Sequence, residues 1–168
     1  MTLELVALPL ADAIAIAEDD MSFYAHAANA DVISELLGDA AAAQADLYEQ
    51  TNAQAPWVGY LAYDVDANEI VGICTFKDMP EDGMVEIAFY TFPDYEGEGW
   101  GTAMAAALID IAWKTGEVDT IFAHTDAEEN EDDENPSVHI AKKLGFTLVG
   151  PMDYPEGIVW QWELRKRS

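Results

Sequence analysis

Basic residues are scarce in this chain of 168 residues, which carries seven Lys and Arg against 33 Asp and Glu. The formal charge at pH 7 is therefore −26. Because nucleic acids are held mainly by Lys and Arg on their phosphates, this deficit predicts a protein without a nucleic-acid partner. The acidic residues are spread along the chain, and two explanations stay open: a surface adapted to salty surroundings, or a field that attracts a cationic substrate.

Cysteine and long apolar runs are also scarce. The single Cys74 cannot form an internal disulfide, and it lies in an apolar, strand-like segment. We therefore expect a buried thiol rather than a nucleophile. No run of 18 apolar residues is present, and the start of the chain, Met1-Thr2-Leu3-Glu4, lacks the basic segment of a signal peptide. These features predict a cytoplasmic protein without a membrane span, and the length predicts one domain over residues 1–168.

Apolar residues alternate in some segments and recur every three to four residues in others. The strongest helical pattern covers residues 31–52, where Ile33, Leu37 and Tyr48 fall on one face. Between two strand-like segments, the turn sequence Asp66-Ala67-Asn68 predicts a hairpin. Strands are predicted at 3–8, 57–65, 69–76, 85–92, 119–125, 146–149 and 158–164, and helices at 11–17, 31–52, 103–114 and 136–145. This order predicts an α/β (α+β) fold with a mixed sheet.

Three alternate glycines, Gly97, Gly99 and Gly101, stand between a predicted strand and a predicted helix. A helix that begins at such a loop presents unpaired backbone N–H groups and the positive end of its dipole, which favours an anion such as a phosphate. A P-loop would require Lys after the last glycine, but Thr102 and Ala103 follow. A dinucleotide fingerprint would need wider glycine spacing, near the start of a βαβ unit.

Two ordered motifs resemble those of the GNAT family of N-acetyltransferases. The segment Glu96-Gly97-Glu98-Gly99-Trp100-Gly101 is similar to the family's acyl-CoA loop, Arg/Gln-x-x-Gly-x-Gly/Ala. Residues 135–146, which begin Asn-Pro-Ser and end Lys-Leu-Gly-Phe, resemble a later helix of the family, with the nearest pattern among ribosomal-protein N-terminal acetyltransferases. The resemblance implies a GNAT-like mixed, mostly antiparallel central sheet, with two splayed strands and flanking helices, that takes acetyl-CoA into the gap.

The resemblance also implies roles for particular residues. Backbone amides of the glycine loop would hold the pyrophosphate, and an amide of the predicted strand would polarise the thioester carbonyl. Asn135 and Ser137 would contact the pantetheine arm or cap the helix. The cofactor-binding residues expected on this basis are Ile87, Ala88, Phe89, Tyr90, Glu96, Gly97, Glu98, Gly99, Trp100, Gly101, Thr102, Asn135 and Ser137.

Two residues are candidates for the general base of acetyl transfer. Glu86 stands where histone-type relatives have a catalytic glutamate, and His124 ends a predicted strand near the cofactor region. Each residue also has an alternative, purely structural interpretation. Glu86 would be a polar residue on the less buried face of its strand, and His124 would be a structural histidine. The sequence departs from the family at Glu96, where Arg or Gln is usual, and at Ala141, where many members have a tyrosine that acts as the general acid. Tyr24, Tyr60, Tyr90 and Tyr154 remain as possible proton donors.

These motifs predict a cytoplasmic N-acetyltransferase that moves an acetyl group directly from acetyl-CoA to a primary amine. The acceptor is a protein N-terminus or a small amine such as an amino sugar or a polyamine, and the protein is a monomer or a homodimer. A non-catalytic acyl-CoA-binding module is the alternative, and a plain interaction domain would make both motifs coincidental. No metal site is expected, because the acidic stretch 126–134 lacks the ligand spacing and central glycine of a calcium loop.

Overall fold

A computed structural model describes residues 1–126 and 135–167 of the chain. The sheet they form has seven strands in the order β1-β2-β3-β4-β5-β7-β6. The strands are β1 (Leu3–Leu8), β2 (Gly59–Asp64), β3 (Glu69–Phe76), β4 (Met84–Thr91), β5 (Thr120–Asp126), β6 (Thr147–Tyr154) and β7 (Gly157–Arg165), and the helices are α1 (Leu10–Ala17), α2 (Ala30–Thr51), α3 (Trp100–Thr115) and α4 (Pro136–Lys143). The acidic stretch expected to be a solvated loop lies, apart from Asp126, outside the described residues.

Neighbouring strands pair antiparallel throughout this sheet except for β4 and β5, which are parallel. That parallel pairing covers only Met84–Glu86 against Thr120–Phe122. From Ile87 onward the two strands separate, so the edge of β4 that faces β5 is left without a ladder partner. The predicted mixed, mostly antiparallel sheet with two splayed strands is confirmed.

Helices cover the two faces of the sheet. α1 and α2 pack with Leu61 and Ile73 on one face, and α3 and α4 pack with Val85 and Ile87 on the other. Because side chains alternate along a strand, Glu86 and the residues in step with it point to the α2 side. The same alternation in β5 and β7 buries Ala123 and Trp162 on the α3 side and turns their neighbours toward α2.

Several boundaries differ from the sequence prediction for identifiable reasons. α3 begins at Trp100, so the last glycine of the loop lies inside the first helical turn rather than before it. α2 covers Ala30–Thr51 rather than 31–52, and the side chain of Asn29, which precedes it, does not cap the helix. β6 and β7 are longer than predicted and form a hairpin at the edge of the sheet, where Pro151 is tolerated because an edge strand need not donate every hydrogen bond.

The buried thiol expected at Cys74 is confirmed, since the residue is 1% exposed. Burial raises the pKa of Cys74 well above its usual range, because an apolar interior disfavours the thiolate. The thiolate is the nucleophilic form of cysteine, so this residue is poorly suited to form a covalent intermediate. Within residues 1–126 and 135–167, no helix is both long and apolar enough to cross a membrane.

Candidate active site

A cleft of about 620 Å³ opens where β4 and β5 separate. Its walls are the end of β4, the glycine loop, the first turn of α3 and the beginning of α4. Ten of the thirteen predicted cofactor residues line it: Phe89, Tyr90, Glu96, Gly97, Gly99, Trp100, Gly101, Thr102, Asn135 and Ser137. Ile87 and Ala88 line a smaller cavity beside the cleft, whereas Glu98 lines neither space.

The glycines of the loop are required for two different reasons. Gly97 and Gly99 have φ angles of 80° and 92°, a left-handed conformation that other residues adopt only with strain. Gly101 is helical, but a Cβ there would lie 2.7 Å from Cδ1 of Ile140 in α4. The first two glycines therefore shape the loop around the start of α3, and the third lets α3 and α4 pack closely.

A buried hydrogen-bond network holds the start of the glycine loop. The Tyr95 hydroxyl donates to Oε2 of Glu69 at 3.0 Å and accepts from Nδ2 of Asn29 at 2.8 Å. Asn29 also binds Ile70 twice, accepting from its N–H at 3.0 Å and donating to its carbonyl at 2.8 Å. Burial and the neighbouring Glu69 raise the pKa of Tyr95. Sequence reasoning missed Asn29 and Tyr95, because nothing local signals a contact across 66 residues.

The opposite wall of the cleft is the start of α4. Oδ1 of Asn135 accepts a 2.9 Å hydrogen bond from the N–H of Val138, which is the expected N-cap. Capping accounts for Asn135 in this structure, although the residue also lines the cleft beside Ser137. Lys143, at the far end of the helix, lines the same cleft and brings a basic side chain to it.

A cavity of about 90 Å³ adjoins the cleft at the point where the two strands separate. Ala88, His124, Ser137 and Ala141 are among its lining residues. The short side chain of Ala141 faces this cavity, at the position where many GNAT members have a tyrosine. Any proton donor to a leaving group at this point must therefore come from a different residue.

The two candidate bases are hydrogen-bonded to each other. Nδ1 of His124 lies 3.0 Å from Oε2 of Glu86, and Nε2 of the same ring lies 3.0 Å from Oε1 of Gln161. The side chains of His124 and Glu86 are 15% and 22% exposed. His124 lines both the cleft and the cavity, whereas Glu86 lines neither and reaches them through the histidine.

Two of the four candidate tyrosines lie at the site. The hydroxyl of Tyr154 lies 3.4 Å from Nε2 of His124, and Tyr90 lines the cleft. Tyr24 is buried in the α1–α2 core, and the Tyr60 hydroxyl donates to the carbonyl of Pro56 at 2.6 Å. Those two tyrosines are therefore part of the framework rather than of the site.

Gln161 was missed by sequence reasoning, although a signal for it was present. Ile158, Trp160, Trp162 and Leu164 alternate along β7, so the residues between them must face the other side of the sheet. Gln161 and Glu163 occupy two of those positions, and His124 pairs with Gln161 across β5 and β7. The pairing of Gln161 with His124 also depends on the strand order, because only the fold shows that β7 lies beside β5.

A second groove, of about 500 Å³, lies on the other side of β4 and is bounded by α2 and β3. It shares Phe89 and Tyr90 with the cleft, so the two spaces meet at the end of β4. Asp46 and Lys77 are charged residues in its lining, beside apolar residues such as Leu47. A molecule in this groove and one in the cleft would approach each other at the end of β4.

A glycine loop that starts a helix, beside a parallel pair of strands that separate, is the arrangement of an acyl-CoA-dependent acyltransferase. The chain matches the model of the acetyltransferase (GNAT) domain over residues 3–147 and belongs to that family. Membership makes the protein an acetyltransferase that takes its acetyl group from acetyl-CoA. No curated protein sequence matches the chain significantly.

Solved structures with the same fold are similar over nearly their whole length. The Salmonella typhimurium acetyltransferase that modifies the N-terminal serine of ribosomal protein L7/L12 superposes with a TM-score of 0.65, at 17% identity, over 99% of this chain and 96% of that one. A spermidine N-acetyltransferase chimera of Vibrio cholerae SpeG and hSSAT superposes with a TM-score of 0.65, at 16% identity, over 98% of this chain and 96% of that one. YncA of Salmonella typhimurium, solved with acetyl-CoA, superposes with a TM-score of 0.59, at 19% identity, over 100% of this chain and 96% of that one. At these identities the likeness establishes the fold.

Within the described residues, no group of three or more His, Cys, Asp and Glu side chains could hold a metal ion. The polar groups that line the cleft include backbone amides, hydroxyls, the Glu96 carboxylate, the Lys143 ammonium group and the His124 ring, which is hydrogen-bonded to Glu86 and Gln161. These groups can bind an anion, accept a proton and donate a hydrogen bond, which are the functions that acetyl transfer to an amine requires.

Proposed function

We propose that this protein acetylates a primary amine by direct transfer from acetyl-CoA, with the Glu86–His124 pair as the proton acceptor. The observation that carries the proposal is the 3.0 Å hydrogen bond between the two side chains, beside the cleft at the point where β4 and β5 separate. A module that only bound acyl-CoA would need the glycine loop but no carboxylate–imidazole pair facing the reacting end. Direct transfer also agrees with the buried, protonated thiol of Cys74.

The cleft has the features needed to hold the acetyl donor. The first turn of α3, which Gly99 begins, directs N–H groups and the positive end of the helix dipole toward the loop, where a pyrophosphate would bind. The edge of β4 from Ile87 to Tyr90 lacks a partner in β5, so its amides are placed to bind the pantetheine arm and the thioester oxygen. Acetyl-CoA supplies an acetyl group activated as a thioester.

The groove beside α2 is the proposed acceptor site. An amine that enters there reaches the end of β4 from the side opposite to the cleft. The acceptor must lose a proton when its nitrogen attacks, and the Glu86–His124 pair, whose histidine lines the cleft, would take that proton. α2 and the turn between β6 and β7, which brings Tyr154 to His124, would determine which amine fits.

The class of acceptor remains a primary amine, either a protein N-terminus or a small molecule. Relatives in this fold include an enzyme that modifies the N-terminal serine of L7/L12 and a spermidine acetyltransferase, which represent both classes. The formal charge of −26 favours a cationic acceptor of either kind over an anionic one. The cytoplasmic location, the single-domain organisation and the choice between monomer and homodimer remain predictions from the sequence.

An acceptor screen tests the proposal directly. The purified protein is incubated with acetyl-CoA and with peptides bearing free N-termini, polyamines or amino sugars, and the free thiol released is measured over time. Transfer should occur with at least one acceptor and should stop when that acceptor's amine is blocked by prior acetylation. Tight binding of acetyl-CoA by calorimetry, with no thiol release from any acceptor, would favour the non-catalytic acyl-CoA-binding module instead.

A further inference from the structure

His124 is placed between two hydrogen-bond acceptors, and this placement has a chemical consequence. Oε2 of Glu86 faces one ring nitrogen and Oε1 of Gln161 faces the other, each at 3.0 Å. A neutral imidazole carries hydrogen on only one of its two nitrogens. One of the two contacts is therefore unsatisfied unless the ring or the carboxylate carries an additional proton.

The orientation of the Gln161 amide is determined by the next polar residue along β7. Nε2 of Gln161 donates to Oε2 of Glu163 at 3.1 Å. An ionised carboxylate has no hydrogen to give, so the opposite orientation would place the amide oxygen against the carboxylate oxygen. Glu163 therefore turns the amide nitrogen toward itself and the amide oxygen toward the histidine. Nε2 of His124 must then be the nitrogen that donates.

The remaining groups around the ring agree with this arrangement. Tyr154 of β6 lies 3.4 Å from the same Nε2, and its hydroxyl oxygen can also accept a hydrogen bond. Asp126, on the same face of β5, adds a further negative charge. Within residues 1–126 and 135–167, the acids and hydroxyls around the ring are thus Glu86 from β4, Glu163 behind Gln161 from β7, Tyr154 from β6 and Asp126 from β5. His139 and Lys143 of α4 are titratable groups that line the same cleft.

We propose that Gln161 and Glu163 are positioning residues that keep Nε2 of His124 protonated and thereby assign the base role to Glu86. With Nε2 occupied, the contact with an ionised Glu86 is satisfied by hydrogen on Nδ1, and the ring then has no nitrogen free to take the acceptor's proton. Within the described residues, the Glu86 carboxylate forms a hydrogen bond through Oε2 and none through Oε1. Oε1 is therefore the oxygen that receives the proton. The amine N–H bond then breaks, directly or through one water, as an O–H bond forms on Oε1. This assignment rests on the proposed function.

The first test is spectroscopic and needs no activity. Long-range ¹H–¹⁵N correlation spectra of the protein report which ring nitrogen of each histidine carries hydrogen, and the signals that disappear in His124→Asn identify His124. We expect Nε2 to be protonated across the neutral range. In Gln161→Met, where the acceptor is removed, the hydrogen on a neutral ring should move to Nδ1, opposite Glu86. Glu163→Gln allows the Gln161 amide to flip, so the ring hydrogen should move toward Nδ1 in this variant as well. Glu4→Gln on β1 is the matched control and should leave the ring hydrogen in place.

The second test is the pH profile of kcat/KM, in the same variants. If the ring of Gln161→Met is neutral, Glu86 loses a cationic partner and binds its proton more readily. The acid limb should therefore move to higher pH, with the acetyl-CoA affinity unchanged. A purely structural role would lower the rate and leave the limb in place. Circular dichroism melting verifies folding, and Glu163→Gln provides a gentler variant if Gln161→Met does not fold.

The two tests separate this inference from the proposed function. An Nδ1–H tautomer in the unmodified protein would overturn the inference, as would variants that leave both the tautomer and the acid limb unchanged. A protein that releases no thiol with any acceptor would contradict the proposed function, while the ring spectra would still decide whether Gln161 and Glu163 determine the tautomer.

Discussion

Oε2 of Glu86 lies 3.0 Å from Nδ1 of His124, across the last paired positions of two parallel strands. Glu86 is opposite Phe122 in the final pair of the β4–β5 ladder, and His124 is two residues further along β5. The hydrogen bond therefore spans the point where the strands begin to separate. A carboxylate and an imidazole in such contact influence each other's proton binding, so a substitution of either residue affects the chemistry of both.

The first prediction concerns the carboxylate of this pair. Glu86→Gln keeps the size of the side chain and removes its ability to take a proton, so kcat/KM should fall by about 10² or more. The affinity for acetyl-CoA should hardly change, because Glu86 does not line the cleft. Steady-state kinetics and calorimetry measure the two quantities separately. Wild-type turnover in this variant would assign the base role to His124 or to water.

A matched control for that variant is Glu81→Gln. Glu81 is an exposed carboxylate in the turn immediately before β4, five residues from Glu86 along the chain. Its substitution removes the same charge without touching the histidine, so both turnover and affinity should be preserved. A comparable loss of rate in the two variants would point to a general effect of charge and not to proton transfer.

The second prediction uses two glycines at opposite ends of α3. Gly99 before the helix and Gly116 after it have φ angles of 92° and 73°, so alanine should cost about 1–2 kcal/mol of stability at either position. Only Gly99 lines the cleft. Gly99→Ala should weaken acetyl-CoA binding about tenfold or more, equivalent to about 1.4 kcal/mol, because relief of the strain turns the loop amides away. Gly116→Ala should melt earlier but bind normally, and equal affinities in the two variants would remove the loop from the proposed site.

The third prediction concerns salt. Acetyl-CoA is an anion and the protein carries a formal charge of −26, with the exposed Glu96 in the lining of the cleft. The Debye length falls from roughly 30 Å at 0.01 M salt to roughly 3 Å at 1 M, so salt screens most of the repulsion. The affinity for acetyl-CoA should therefore rise with salt concentration. Calorimetry across this range, with melting followed in parallel, measures the dependence.

Two carboxylates of the same loop provide the comparison. Glu96→Gln should tighten binding at low salt and flatten the dependence, whereas Glu98→Gln should have a smaller effect, because Glu98 does not line the cleft. An affinity that falls with salt in the folded protein would mean that a basic residue, such as Lys143 in the cleft, dominates the interaction. The overall charge would then be a property of the surface alone.

The fourth prediction concerns stability at alkaline pH. Burial raises the pKa of Tyr60 from 10.0 to about 12, with smaller contributions from Cys74 and Tyr48. Below pH 10 both the folded and the unfolded chain keep the proton, and stability is unaffected. Between pH 10 and 12 the unfolded chain loses it first, so this residue should cost about 2–3 kcal/mol of stability by pH 12. Denaturant unfolding measured from pH 8 to 12 tests the decline.

Tyr60→Phe separates this effect from other causes of alkaline unfolding. The variant loses the hydrogen bond to the carbonyl of Pro56, which should cost about 1 kcal/mol near neutral pH. Its stability should then fall less steeply above pH 10 than that of the parent. Tyr154→Phe, at an exposed position, should leave the slope as it is. An unchanged slope in Tyr60→Phe would mean that Tyr60 does not titrate in this range.

The sequence by itself determined the order of the elements and the part of the site formed by contiguous residues. Helix and strand periodicity are local properties, so the hairpin at 66–68, the amphipathic α2 and the strand–loop–helix around Gly99 could be predicted without knowledge of the fold. Backbone amides at a glycine loop form a binding site wherever such a loop starts a helix. For that reason the six predicted cofactor residues Glu96, Gly97, Gly99, Trp100, Gly101 and Thr102 line one cleft.

Only the tertiary structure decided how residues from different strands combine. The sequence offered Glu86 and His124 as alternatives, 38 residues apart, and the parallel pairing of β4 and β5 made them partners. Gln161 joined them because β7, the last strand, inserts between β5 and β6. Asn29 came to support the glycine loop through a contact across 66 residues. Strand order depends on how the helices and the whole core pack together, and no local pattern of side chains encodes it.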